Sequence, residues 1–320
     1  MVKFLKFPKF TKAFRLEERR RFIIGYFFLL PFFVFIATFW IKPLIDSIWL
    51  SFNDVKYTFE NMRFVGLDNY IKIFTKDIYV PDVIFTTVLY VGTVILINAF
   101  YSFIIAFVTT YYIKNEALGT ALRLLWLIPR IMPTIVYAVM WLWLIDPEYG
   151  PINMFMRFLG LKPPESWLIQ RPYSWILMII VNGFVGASWG MIIYSAAIKS
   201  LPLDIIYAAK VDGASEFQIL RYIFIPLLKW PILFVTAWQT LSLLSSFGEI
   251  LAIWGEYAVA RAGQVVTWAL YAWFKAFYVN DFGYGAALSM VLVVIGIALV
   301  LLYFKIFGYR RLTQPSRVEV

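Results

Sequence analysis

The chain has 320 residues, of which 62% are hydrophobic and 15% charged, with a net charge of +10; soluble domains run near 45–50% apolar and about 25% charged. It contains neither Cys nor His, which excludes thiolate and imidazole metal sites, disulfides, and Ser-His-Asp or Cys-His nucleophiles. No Gly is followed by Lys, so the phosphate-cradling G-x-x-x-x-G-K-[ST] loop is missing and any energy from ATP has to come from a partner.

The apolar residues collect in runs long enough to cross a hydrocarbon core about 30 Å thick. In chain order they predict six transmembrane helices at about 22–44, 84–113, 124–145, 173–198, 225–247 and 284–307. The first run exceeds the apolar region of a signal peptide and no small-residue cleavage site follows it, so it reads as a retained helix. The expectation is an all-α polytopic membrane protein: a basic arm at 1–21, a membrane domain at 22–310 and a tail at 311–320.

Lys and Arg beside the spans set orientation, because cations are preferentially kept on the cytoplasmic side. The arm carries Lys3, Lys6, Lys9, Lys12, Arg15, Arg19, Arg20 and Arg21, interleaved with Phe4, Phe7, Phe10 and Phe14. That pattern suits anchoring on an anionic membrane surface. The tail adds Lys305, Arg310, Arg311 and Arg317. Both termini are therefore expected in the cytoplasm, with Lys114, Arg123, Lys199, Lys210, Arg221 and Lys229 on the same side. Asp54, Glu60, Asp68, Asp77 and Asp82 fall outside. Cations placed beside spans argue for membrane topology and against nucleic acid as a partner.

In the third span Arg130 stands between Pro129 and Pro133. Prolines free backbone carbonyls, and a guanidinium inside a bundle marks either a cavity or a structural pair with an acid such as Glu249. The fourth span brings Asn182, Gly186, Trp189 and Ile193 to helical spacing, and Gly186 with Gly190 makes a small-xxx-small face. In the fifth, Gln239, Ser242 and Ser246 share a face. These residues read either as a substrate pathway or as helix-to-helix glue.

Between those spans, residues 199–224 break the pattern. Pro202 and Asp204 start a helix, Ala208 and Ala209 continue it, and Asp212-Gly213 is a turn pair. Ser215 and Gln218 form a second start, an S-x-x-Q capping box. The reading is helix, tight corner, helix: either an ordinary structured loop or a docking knob. Farther on, Trp268, Tyr271, Trp273, Phe274 and Phe277 within 264–278 suggest an amphipathic helix lying outside, packed at the interface or docking an external protein.

The corner resembles the E-A-A-x-x-x-G-x9-I-x-L-P loop of permease subunits of binding-protein-dependent ABC importers, with Ala208, Ala209, Gly213, Ile223 and Pro226 in register and Asp212-Gly213-Ala214 as its D-G-A. Tyr207 stands where that family has Glu, and Ile225 where it has Leu. Residues 64–70 (FVGLDNY), 127–129 (LIP) and 146–153 (DPEYGPIN) are similar to the carbohydrate-uptake branch, in its maltose-permease-like first subunit.

The resemblance implies a type I ABC importer permease fold, with a cytoplasmic coupling helix at Asp204 to Asp212 seated in an ATPase cleft. Tyr207, Ala208, Ala209, Gly213, Ala214 and Glu216 belong to that coupling loop. Implied partners are a second homologous permease, two ATPase subunits holding ATP and Mg, an extracytoplasmic solute-binding protein, a carbohydrate and the lipid of a bacterial or archaeal cytoplasmic membrane. On this chain itself no catalytic residue, metal or cofactor is expected. The substrate pathway would be Asn182, Gly186, Trp189, Gln239, Ser242, Ser246 and Arg130. A sugar phosphate such as glycerol 3-phosphate is the alternative cargo. An ion-coupled secondary transporter is less consistent with 173–198 and 285–304, which carry no ionisable group at mid-span.

Overall fold

The computed structural model describes residues 26–307; the basic arm at 1–21, the start of the first span and the tail at 311–320 lie outside the described residues. Among the described residues the regular structure is helical apart from a small hairpin, in which β1 (Asn53–Asp54) pairs antiparallel with β2 (Arg63–Phe64).

Helix α1 (Tyr26–Ser51) precedes the hairpin, and its most apolar 18-residue window has no buried residue. Only its last third leans on the bundle, against α14 (Phe282–Phe307). After the hairpin come a short α2 (Asp68–Thr75) and the long α3 (Val80–Tyr112). The third apolar run is broken into α4 (Glu116–Ile131) and α5 (Thr134–Leu144), bent by 99°. Pro129 removes a helical donor and Pro133 caps α5, so the ladder cannot run through. The span expected at 124–145 is thus broken where its prolines stand.

Beyond α6 (Pro151–Phe158) lies α7 (Tyr173–Lys199), the partner against which α3 packs most extensively. Then follow α8 (Leu203–Val211), α9 (Glu216–Leu227) and α10 (Lys229–Ser245). The last two are bent by 67° at Leu228, between Pro226 and Pro231, so the fifth span is also broken. Among the described residues four helices are long and apolar enough to cross a membrane, and up to six spans result when each bent pair counts as one.

Helices α11 (Gly248–Trp254), α12 (Tyr257–Ala262) and α13 (Trp268–Trp273), the last continued by a wide turn at Phe274–Tyr278, fill the remaining end. The helix expected within 264–278 forms at Trp268–Trp273, and it turns most of its rings inward instead of presenting them as a docking surface. Trp268, Leu270, Tyr271 and Phe274 are all buried. The Trp268 amide donates to Thr87 Oγ1 and its indole to the Leu288 carbonyl, tying α13 between α3 and α14. Of the rings singled out there, Trp268, Tyr271 and Phe274 are core while Phe277 stays exposed.

α3 and α7 run parallel. Phe85 packs on Trp175 at one end, while Tyr111 and Ile198 share a buried cluster at the other. Lys114, Arg123, Lys199 and Lys210 gather at that second end, hereafter the basic end.

Candidate functional site

At the basic end the predicted helix, corner and helix are present. Pro202 sits at the N-cap of α8 and Asp204 in its first turn, where a carboxylate suits the helix dipole. Gly213 takes φ +81°, a left-handed conformation that a side chain would strain, and open space lies where its Cβ would project. The capping box is closed in both directions: Ser215 Oγ accepts from the Gln218 amide at 3.3 Å, and Gln218 Oε1 accepts from the Ser215 amide at 2.7 Å.

Packing decides which face is presented. Ile206, Ile219 and Phe224 are buried, and the Phe224 ring lies 4.8 Å from Tyr111 and 5.1 Å from Phe107. Ala209 and Ala214 pack half-buried against this cluster. Left facing out are Asp204, Tyr207, Ala208, Val211, Asp212, Gly213 and Phe217, with Val211 87% exposed.

Glu216 is committed internally. Its Oε1 accepts from Lys210 Nζ at 2.7 Å and its Oε2 from the Tyr111 hydroxyl at 2.9 Å, clasping α8 and α9 to the end of α3. The Lys210 ammonium holds the Glu216 carboxyl below the usual carboxylate range, and the carboxylate in turn raises Lys210.

A second site lies among α3, α4, α7, α10 and α11. A cavity of about 50 Å³ is lined by Asn182, Gly186 and Trp189 from α7, by Gln239 and Ser242 from α10, and by Ser246 just past it. Arg130 closes α4 onto the same space. All seven expected pathway residues thus meet at one place, although Ser246 has left the helix and Ile193 packs in the basic-end cluster instead.

The walls are chemically mixed. Trp189 and Trp238 stack with ring centroids 5.8 Å apart. Gln239 Nε2 donates to the Gly186 carbonyl at 3.2 Å, and Ser246 Oγ donates to Glu249 Oε2 at 2.9 Å. Arg130 and Glu249 both line the cavity, yet among the described residues no ion pair joins them. Asn98 Oδ1, Gln239 Oε1 and Trp189 Nε1 are buried without a partner. Leaving such atoms unmatched costs about 1–3 kcal/mol each, so this is a place for a polar guest.

Besides the aliphatic Val185 and Leu243, two lining residues, Asn98 and Trp238, escaped the sequence reading. Asn98 gave a signal: it is the lone amide midway along α3, four residues before Ser102. Trp238 precedes Gln239 and reaches the cavity from the flank of α10.

Comparison with known proteins places this architecture. The trehalose/maltose transport system permease protein MalF of Thermococcus litoralis is 26% identical over 292 residues, covering 90% of this chain and 95% of the relative. A probable ABC transporter permease protein of Bacillus subtilis, YesP, is 30% identical over 291 residues, covering 90% and 91%. The fold matches a chain of a bacterial alginate ABC transporter crystallised with its alginate-bound periplasmic protein, at TM-score 0.78 and 18% identity over 93% of this chain and 98% of that one. A family profile takes in residues 102–310, the stretch that holds most of the cavity and all of the corner. The chain therefore belongs to the family of binding-protein-dependent transport system inner membrane components.

Proposed function

We propose that this chain is the non-catalytic permease subunit of an ATP-driven importer that carries a carbohydrate from an extracytoplasmic binding protein across the membrane. The observation that carries the reading is the cavity, where stacked Trp189 and Trp238 meet the unpartnered amide oxygens of Asn98 and Gln239 and the unpartnered indole N–H of Trp189. Sugars have apolar faces that stack on rings and polar rims that bond amides. The name of the Thermococcus litoralis relative, a trehalose/maltose transport system permease protein, points the same way.

At about 50 Å³ the cavity holds water but no sugar ring. Loading requires its walls to part, and two of them, α4 and α10, belong to the broken pairs α4–α5 and α9–α10. Discontinuous helices around a central site are a recurrent device for alternating access. The exposed face of α8, Gly213 and α9 would receive an ATPase subunit, with the basic end, both termini and the arm in the cytoplasm. A second homologous permease and two ATPases complete the assembly, and ATP and Mg belong to the ATPases.

The test is Trp189→Ala in the assembled transporter, reconstituted into vesicles with labelled saccharides. Uptake should weaken by roughly 2- to 12-fold at low substrate, the equivalent of losing a stacked ring, while subunit assembly stays intact. Uptake kinetics identical to wild type would reject the assignment.

A further inference from the structure

Four cations from four parts of the chain converge on one cavity at the basic end. Lys114 follows α3, Arg123 lies on α4, Lys199 closes α7 and Lys210 sits on α8, around a space of about 350 Å³. Two of them are neutralised: Lys199 by Glu116 at 2.7 Å and Lys210 by Glu216 at 2.7 Å.

The other two reach no carboxylate at ion-pair distance among the described residues. Arg123 is held by neutral acceptors, its Nη1 donating to the Thr109 carbonyl at 2.7 Å and to Thr110 Oγ1 at 3.0 Å. The Lys114 ammonium lies 5.0 Å from the Tyr111 ring centroid, with that of Lys210 5.4 Å from the same ring. Topology alone asks only that cations lie in the loops beside a span. It does not ask that they be gathered into a walled cavity, where like charges repel unless an anion joins them.

The surroundings indicate which anion. The cavity lies where α3 and α7 end, at headgroup depth once the bundle is oriented as proposed above, and Ile113 and Leu203 form an apolar part of its lining. Along α3 toward mid-membrane, Ile104, Val108 and Tyr112 are exposed, offering a track for acyl chains. We infer that this cavity binds the phosphate of an anionic phospholipid, with Lys114 and Arg123 as its principal ligands. Basic pockets between transmembrane helices at the cytoplasmic face are suited to such headgroups. Because Tyr207 and Lys210 also line the cavity, a bound headgroup touches the corner that carries the exposed docking face. The site rests on the orientation proposed above, but its test does not depend on transport.

The full-length chain, purified in detergent with the subunits that co-assemble, is titrated with phosphatidylglycerol, with phosphatidylcholine and with inorganic phosphate, and bound lipid is counted by native mass spectrometry. Wild type should retain phosphatidylglycerol in preference to phosphatidylcholine, and Lys114→Gln should cut that preference about fivefold, the worth of one cation near a membrane surface. Lys114 makes a ring contact, one long bond to a carbonyl and a weak through-space attraction to Glu216, which Lys210 and Tyr111 already hold, so this variant leaves the fold alone. Lys114→Gln with Arg123→Gln should remove the preference, and Lys42→Gln, far away on α1, should keep it. Equal retention of both lipids by wild type overturns the proposal. So does saturation by inorganic phosphate with no lipid preference, which would make the ligand a free anion. Loss of a co-purifying ATPase in the double variant with lipid preference unchanged would also overturn it, assigning the cavity to a protein partner.

Discussion

Gly186 and Asn98 are packed so closely that a methyl group on Gly186 would lie 2.2 Å from the Asn98 amide nitrogen. One turn on, a Cβ at Gly190 would meet Ser102 Oγ at 2.5 Å and Ser102 Cβ at 2.9 Å. The small-residue face of α7 therefore serves first to seat α3, and only through that seating does it shape the cavity. Helix-to-helix packing and the lining of a cavity thus share one face. Gly190→Ala should destabilise the purified protein by about 1–3 kcal/mol through overpacking, seen as a lower melting temperature by circular dichroism. Gly186→Ala should cost less and be largely relieved by Asn98→Ala, because the obstacle there is the end of a side chain. A Gly190→Ala protein melting like wild type would contradict the packing.

Arg130 and Glu249 face one cavity without forming an ion pair. A structural pair would show a coupling energy when both are replaced. With no ion pair between them, Arg130→Gln and Glu249→Gln should couple only through the shared cavity, by less than about 1 kcal/mol. Each should instead change the substrate concentration for half-maximal uptake. A coupling above 1–2 kcal/mol, measured by denaturation of the single and double variants, would restore the pair.

Much of this was legible in the sequence, and what was hidden has a common cause. Spacing along one helix reports which residues share a face, so Asn182, Gly186 and Trp189 could be grouped, as could Gln239 and Ser242. The corner was legible for the same local reason: Pro202, Asp212-Gly213 and the Ser215–Gln218 box act on their own backbone. Spacing cannot report what a face meets. The rings of α13 were read toward the outside because an aromatic stripe looks alike at an interface and in a core. Only the bonds from Trp268 to Thr87 and Leu288, 181 and 20 residues away, decide it. The bends of 99° and 67° were half visible, since the prolines announce a break without its angle.

Gly213 offers a way to separate conformation from docking. Its φ of +81° penalises any β-carbon, but no atom lies within 4 Å of the site where one would project. Gly213→Asn, tolerant of left-handed backbone, should preserve both the corner and ATPase binding. Gly213→Ala should cost about 1–2 kcal/mol of local strain with assembly retained. Gly213→Trp should abolish ATPase co-purification and stimulated ATP turnover. If the Trp variant assembles and couples normally, the partner docks elsewhere.

At the opposite end, Asp77 Oδ2 accepts from the hydroxyls of both Tyr271 and Tyr284 at 2.6 Å, tying the loop before α3 to α13 and α14. Burial pushes the carboxyl upward, but the two phenols, the Tyr79 amide and nearby Lys275 outweigh it, and Asp77 lies below its ordinary value. A depressed native pKa means the unfolded chain takes up the proton first as pH falls. The contribution is then complete well above the ordinary aspartate value of about 3.9 and is lost as pH drops through the lower native value. Asp77→Asn should therefore lower the melting temperature at pH 7, and the gap to wild type should narrow on acidification toward pH 3. Hydrogen exchange in α13 should follow the same course, since Tyr271 loses its charged acceptor in both cases. A gap constant from pH 7 to pH 3 would mean that the carboxylate charge adds nothing beyond a neutral hydrogen bond.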